Sequence, residues 1–135
     1  ELEKEDIKRS GQWAKQSLAE IEDVPYYELP VFNCKTARFT FCISAEGYLS
    51  GCIHDRSNLI KLKSGHFLRS WAELNEKVQA IMITPEYACA ACEYLPFCNT
   101  CPADVQREFG SPLRTSPHQC TLAKLRYSTF VKGDD

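Results

Sequence analysis

Cys89-Ala90-Ala91-Cys92-Glu93-Tyr94-Leu95-Pro96-Phe97-Cys98-Asn99-Thr100-Cys101-Pro102 carries four thiols as two C-x2-C pairs set five residues apart. In such a pair two sulfurs turn toward one centre, and the intervening amide N–H groups point at them and stabilise thiolate charge. That is the local geometry of a metal knuckle. One pair alone also serves as a redox dithiol. Two in so short a stretch, with Cys34, Cys42, Cys52 and Cys120 elsewhere, point to metal. The eight cysteines divide into two sets of four, the number that closes two tetrathiolate sites. A disulfide framework is the competing use of the same count. Against it stand the absence of a signal-like segment and the poor fit of vicinal C-x2-C partners to a stable structural bridge. Reduced thiols imply a reducing compartment, so a cytoplasmic location is expected.

Around this stretch the composition sets bounds. A chain of 135 residues at 44% hydrophobic content suits one compact domain with a modest core, or two small lobes each tied by metal. A formal charge of -2 with scattered basic residues argues against a nucleic-acid face, since only Lys8-Arg9 and the Lys61, Lys63 pair cluster locally. No long apolar run is present, so no membrane span is expected. The chain begins at Glu1 and its only methionine is Met82, which predicts an excised or processed fragment.

Upstream, Ile7, Ala14, Leu18 and Ile21 recur at roughly helical spacing and predict a surface helix from Leu2 to Ile21, weakened by Gly11. Val24 to Pro30 is expected to be extended, because each proline disfavours helix at the residue before it. Arg38 to Ser44 and Tyr48 to Ile53 are rich in aromatic and branched side chains, and Ala45-Glu46-Gly47 between them supplies a glycine for a turn. A β-hairpin follows, with thiols on both arms. Gly51 is expected to let the backbone approach whatever Cys52 binds. His54 to Gly65 is read as a polar connection. Phe67, Trp71, Leu74, Val78 and Ile81 then fall at steps of four, three, four and three, an amphipathic helix whose stripe is core.

Thr84-Pro85-Glu86 has the form of an N-cap with a first-turn proline, and it leads to Cys89. The knuckle stretch is too rich in cysteine and proline for a long helix. Pro102 opens a short helix through Phe109 that Gly110 ends. A last helix, from about His118 to Val131, carries Cys120 in its first turn, where the helix dipole favours a thiolate, with Leu122, Leu125 and Phe130 available for packing. The expected fold is thus a small α+β domain stapled by metal, a β-hairpin followed by helices and cysteine-rich loops. Residues 1–30 form a linker, 31–131 the cysteine domain and 132–135 a frayed tail.

Cys34, twelve residues, Gly47, four residues, Cys52, then the C-x2-C-x5-C run, Cys101 and Cys120 resemble the seven-cysteine signature of the SPASM domain. That domain is the C-terminal auxiliary iron-sulfur module of radical SAM enzymes that modify ribosomally made peptides and proteins. The resemblance covers about Cys34 to Leu125. It departs from the family in having two residues between Cys98 and Cys101, where three are common, and in the additional Cys42.

The resemblance implies two [4Fe-4S] clusters in interlaced ligation. Cys89, Cys92, Cys98 and Cys120 would hold one, and Cys34, Cys52 and Cys101 the other, with Cys42 as its fourth ligand. If Cys42 instead faces the core as a small hydrophobe, that cluster keeps an open iron. Interlacing would make Cys101 reach back to the hairpin and Cys120 to the knuckle, so that folding depends on metal. The competing topology closes the four knuckle sulfurs on one ion and gathers Cys34, Cys42, Cys52 and Cys120 on another.

The C-x3-C-x2-C motif that holds the SAM-cleaving cluster is absent from this chain, so SAM belongs to a preceding radical SAM catalytic domain, the implied partner together with a peptide substrate. The resemblance implies electron relay, peptide positioning, or both. The alternative is a structural or interaction module with two zinc ions, which tetrathiolate sites accept readily. His54, His66 and His118 are read as ordinary polar residues, since eight cysteines suffice for two sites. Asp55 and Glu93 are read as surface charges, with contact to a metal's surroundings or to substrate as the other use. No nucleophile, base and oxyanion arrangement is evident, so no hydrolytic or transfer activity is expected of the chain alone.

Overall fold

The turn at Ala45-Glu46-Gly47 organises the sheet. In the computed structural model, which describes residues 29–34 and 36–132, Gly47 takes φ +77° and its amide donates to the Ser44 carbonyl at 2.9 Å. A side chain would resist that φ, and glycine does not. Strands β1 (Cys42–Ile43) and β2 (Tyr48–Ser50) run antiparallel from the turn, with Cys42 opposite Ser50 and Ile43 opposite Leu49. Both are shorter than the expected arms. The ladder stops where the Thr40 hydroxyl donates to the Gly51 carbonyl at 2.8 Å, occupying an acceptor that a longer ladder would use.

A third strand, β3 (Ile60–Lys61), lies in the stretch expected to be a polar connection, and it pairs antiparallel with β2, giving the order β1-β2-β3. Its signal is the alternation Ile60-Lys61-Leu62. Ile60 and Leu62 pack against the core, while the Lys61 ammonium donates to the Glu46 carbonyl and lies 4.4 Å from the Tyr48 ring centroid.

Helix α1 (Phe67–Gln79) follows the predicted stripe, with Leu74 and Val78 fully buried and Phe67 and Trp71 half-buried. Ile81 falls beyond the helix end. Its carbonyl accepts the Val31 amide at 2.8 Å, and the Ile83 amide donates to the Leu29 carbonyl at 2.9 Å, so the two chain segments run side by side with Pro30 opposite Met82. Phe32, Leu49, Leu74, Val78 and Ile83 form the core with Val31, Tyr87 and Ala103. Each large aliphatic or aromatic side chain buried there contributes roughly 1.5–3 kcal/mol.

Thr84-Pro85-Glu86 makes a single turn, closed by the Tyr87 amide on the Thr84 carbonyl at 3.0 Å, and starts no helix. The knuckle runs through turns and one 3-10 turn, Leu95–Phe97. Helix α2 (Pro102–Phe109) has the predicted bounds, with Gly110 at φ +78° closing it. Helix α3 (Pro117–Tyr127) starts one residue before the expected point because Ser116 is its N-cap, its Oγ accepting the Gln119 amide at 3.4 Å. A π-type turn, Ser128–Lys132, follows. Ala123, not Leu125, is the buried residue of α3, and Leu125 is 57% exposed.

The helix expected over Leu2 to Ile21, the extended stretch over 24–28 and the tail beyond 132 lie outside the described residues. No helix among the described residues is long and apolar enough to cross a membrane.

Candidate metal centre

Burial pushes the Cys89 thiol above its ordinary value. A hydrogen bond with the Tyr87 side chain works the other way, and the charges of Cys98, Cys120 and Cys92 raise it again. Cys89 therefore lies within electrostatic reach of three other thiols. Cys92 and Cys98 belong to the knuckle, and Cys120 arrives from the first turn of α3. All four are free and half-buried. Among the described residues no three His, Cys, Asp or Glu side chains approach closely enough to hold a metal ion. The two facts concern different distances, because charges act over several ångströms whereas a Zn–S bond spans about 2.3 Å. The segments converge, but the sulfurs do not form a closed ligand shell.

Local contacts hold this convergence. Tyr127 on α3 meets Tyr94 and Phe97 of the knuckle edge-on, both at ring-centroid distances of 5.3 Å. From the same helix Arg126 donates to the Phe97 carbonyl at 3.1 Å, and the Lys124 ammonium lies 5.7 Å from the Tyr94 ring centroid. α3 thus brings two cations and an aromatic ring to the knuckle along with Cys120. Within the knuckle, Cys98 Sγ and Thr100 Oγ1 are 2.9 Å apart.

The other four cysteines are placed differently. Cys34 is exposed, and Cys42 and Cys52 are half-buried. Cys42 lies across from Ser50, two residues short of Cys52, on the opposite face of the sheet from the fully buried Leu49. Cys101 is the N-cap residue of α2. Burial raises its thiol pKa, the amides of Asp104 and Ala103 lower it, and the Asp104 carboxylate raises it. Asp104 also receives His54 Nδ1 at 3.2 Å and Arg107 Nη2 at 2.9 Å. His54, two residues after Cys52, thereby ties the end of the hairpin to the start of α2. The segments that carry Cys52 and Cys101 are neighbours, while Cys34, Cys42, Cys52 and Cys101 are not drawn into one ligand shell among the described residues.

Asp55 is corrected from a surface charge to a buried one, and Glu93 is exposed as expected. The backbone approach at Gly51 is to the chain itself: a Cβ there would stand 2.6 Å from Thr36 Cγ2 and 2.7 Å from the Ala37 nitrogen. Ala37 is buried at φ +56°, and its carbonyl accepts Asn75 Nδ2 at 3.0 Å. Asp55 is no surface charge. It is 1% exposed, and its Oδ1 accepts the amides of Ser57 at 3.1 Å and Asn58 at 3.0 Å, the pattern of an Asx turn. His66 sits at the α1 N-cap without a capping side-chain bond. His118 lines a cavity of about 230 Å³ between the first turns of α2 and α3, with Cys101, Asp104, Glu108 and Ser116. Glu93 is exposed and raises the pKa of the neighbouring Tyr94 by hydrogen bonding.

Thr100 and Arg126 were not singled out in the sequence. Thr100 had a local signal, a hydroxyl inside a C-x2-C pair. Arg126 had none, since its acceptor is distant in the chain. No family model, curated protein or solved structure matches the chain.

Proposed function

We propose that this chain is an auxiliary-cluster domain of a radical SAM enzyme that modifies a ribosomally made peptide. In this reading it binds two [4Fe-4S] clusters, acts in a reducing compartment, and relays an electron, positions the peptide, or both. The observation that carries the reading is the packing of α3, which holds Cys120, on the knuckle that holds Cys89, Cys92 and Cys98, the four thiols that the resemblance groups in one interlaced set. The link from His54 to Asp104 beside Cys101 adds support for the second set, Cys34, Cys42, Cys52 and Cys101.

When bound, a thiolate-held cluster supplies one-electron chemistry by spreading charge over iron and sulfide. The chain's own residues favour a negative centre at the knuckle. Cys120 stands in the first turn of α3, and Lys124 and Arg126 of the same helix bring positive charge to the 94–97 stretch. The SAM-cleaving motif is missing from this chain, so radical generation is assigned to a partner domain.

Anaerobic preparation of the chain, followed by determination of iron, acid-labile sulfide and zinc, tests the reading. A brown protein with broad visible absorption and about four irons and four sulfides per site supports it. A colourless protein holding two zinc ions and no labile sulfide contradicts it and favours the structural module.

A further inference from the structure

The pairing of the hairpin decides which backbone groups of β1 face outward. The Ser44 amide donates to the Tyr48 carbonyl at 2.9 Å, so these two residues form a hydrogen-bonded pair, and Ile43 opposite Leu49 belongs to the alternate, non-bonded set of the antiparallel ladder. The Ile43 N–H and C=O therefore point away from β2, on the outer side of an edge strand. No turn, loop or side chain among the described residues bonds either group. Ile43 shares a sheet face with Leu49, and by the two-residue period Phe41 lies on it as well. Helix α1 adds a ledge on that face, where the Phe41 ring meets Phe67 and Trp71 edge-on at centroid distances of 5.1 and 5.3 Å. Leu68 stands two turns from Asn75, whose side chain reaches the Ala37 carbonyl, so it lies on the side of α1 next to the 37–41 segment. Phe41, Ile43 and Leu68 are 48%, 51% and 81% exposed, three large apolar side chains in water along an open strand edge.

We propose that the outer edge of β1 takes up the peptide partner as an added strand. The occupant is an extended segment with apolar side chains at alternate positions and an acidic residue at the Arg38 end. The proposal rests on the peptide-positioning part of the reading above and on neither metal centre. An outward N–H and C=O on one residue are answered by a peptide backbone, which returns an acceptor and a donor at strand spacing. Every second side chain of the added strand then falls on the α1 side, over Phe41, Ile43 and Leu68. A helical segment does not fit, because its backbone groups bond internally. Arg38, exposed in the turn before β1, offers a cation at one end of the edge. The opposite edge of the sheet is guarded: β3 carries Lys61, whose ammonium donates to the Glu46 carbonyl and lies over the Tyr48 ring.

The test is a titration of the anaerobically prepared full chain with the synthetic peptide acetyl-Glu-Val-Ser-Val-Ser-Leu-amide, read by calorimetry and by hydrogen exchange at the Ile43 amide. Saturating peptide is expected to slow that exchange about tenfold or more, and a peptide of the same composition with the alternation broken is expected not to bind. Ile43→Pro removes the outward N–H at a position that the ladder does not use, and Leu68→Glu places a charge on the ledge at a side chain already in water. Each is expected to weaken binding about fivefold, with exchange in β2 and α1 unchanged. An Ile43 amide unaffected by millimolar peptide overturns the proposal, as does equal binding of the broken-alternation peptide or full affinity in either variant. Protection of Ile43 that rises with chain concentration in the absence of peptide also overturns it, since the edge then pairs with a second copy. A chain that binds the peptide while holding zinc and no labile sulfide contradicts the cluster reading alone. One that holds iron and sulfide but leaves the peptide unbound contradicts this proposal alone.

Discussion

Between Val31 and Ile83 the chain removes Phe32, Leu49, Leu74 and Val78 almost wholly from water, whereas no residue from Ala88 to Pro102 is buried. The first region has the means to hold itself by apolar burial. The second has edge-on rings, the Arg126 bond to the Phe97 carbonyl and a set of converging thiols. The difference teaches where a cross-link would add most. Cross-links are needed where burial is missing, and the densest group of cysteines lies in that region.

Under the proposed function, metal removal is expected to give the largest separation of the two regions, since structural metal contributes about 10–16 kcal/mol in small zinc domains. Chelation under anaerobic conditions is expected to abolish amide hydrogen-exchange protection from Ala88 to Tyr127 and to leave protection in β2 and α1. Equal loss in both regions would erase the contrast. Leu74→Ala attacks the other side of the comparison. It is expected to cost about 2–5 kcal/mol in denaturant titration, because a fully buried side chain leaves a cavity. Added metal should not restore the loss.

Gly51→Ala is expected to cost about 1–3 kcal/mol, since the new methyl meets Thr36 and the Ala37 backbone. The same titration should show reduced stability with metal content unchanged. If metal uptake falls while stability holds, Gly51 serves a ligand approach after all.

The smallest effect is in pH. Burial raises the folded-state values of Cys89 and Cys101 above the ordinary thiol value of 9.0, so the folded metal-free chain holds these protons more tightly than the unfolded chain. The stabilisation is fully present below pH 9.0 and is lost as pH rises through the raised values. Metal binding runs the other way, since it requires thiolates. Thermal melts with and without metal between neutral and alkaline pH should diverge; parallel curves would contradict the assignment.

The features legible in the sequence were those with local causes. Gly47 in the turn, and Pro102 and Gly110 bounding α2, each act on their own backbone. β3 escaped notice because two residues are too few for an alternating pattern to stand out from a polar stretch. Gly51 and Ala37 were misjudged or unseen because their partners come from the folded chain: Gly51 meets residues 36 and 37, and Ala37 is held by Asn75, whereas Asp55 had a local cause, the amides of Ser57 and Asn58. At the candidate site the two C-x2-C pairs were legible as a local motif, while the link from His54 to Asp104 depends on a contact fifty residues long in sequence.

The central proposal is that each centre draws ligands from separate stretches, Cys120 joining the knuckle thiols and Cys101 joining those of the hairpin. Its most direct test is the paramagnetic resonance of the reduced, reconstituted chain in four variants: Cys92→Ser, Cys120→Ser, Cys52→Ser and Cys101→Ser. Cys120→Ser is expected to abolish the same signal as Cys92→Ser, and Cys101→Ser the same signal as Cys52→Ser. If Cys101→Ser instead removes the signal lost in Cys92→Ser while Cys120→Ser removes that lost in Cys52→Ser, the knuckle closes on itself and the interlaced assignment is contradicted.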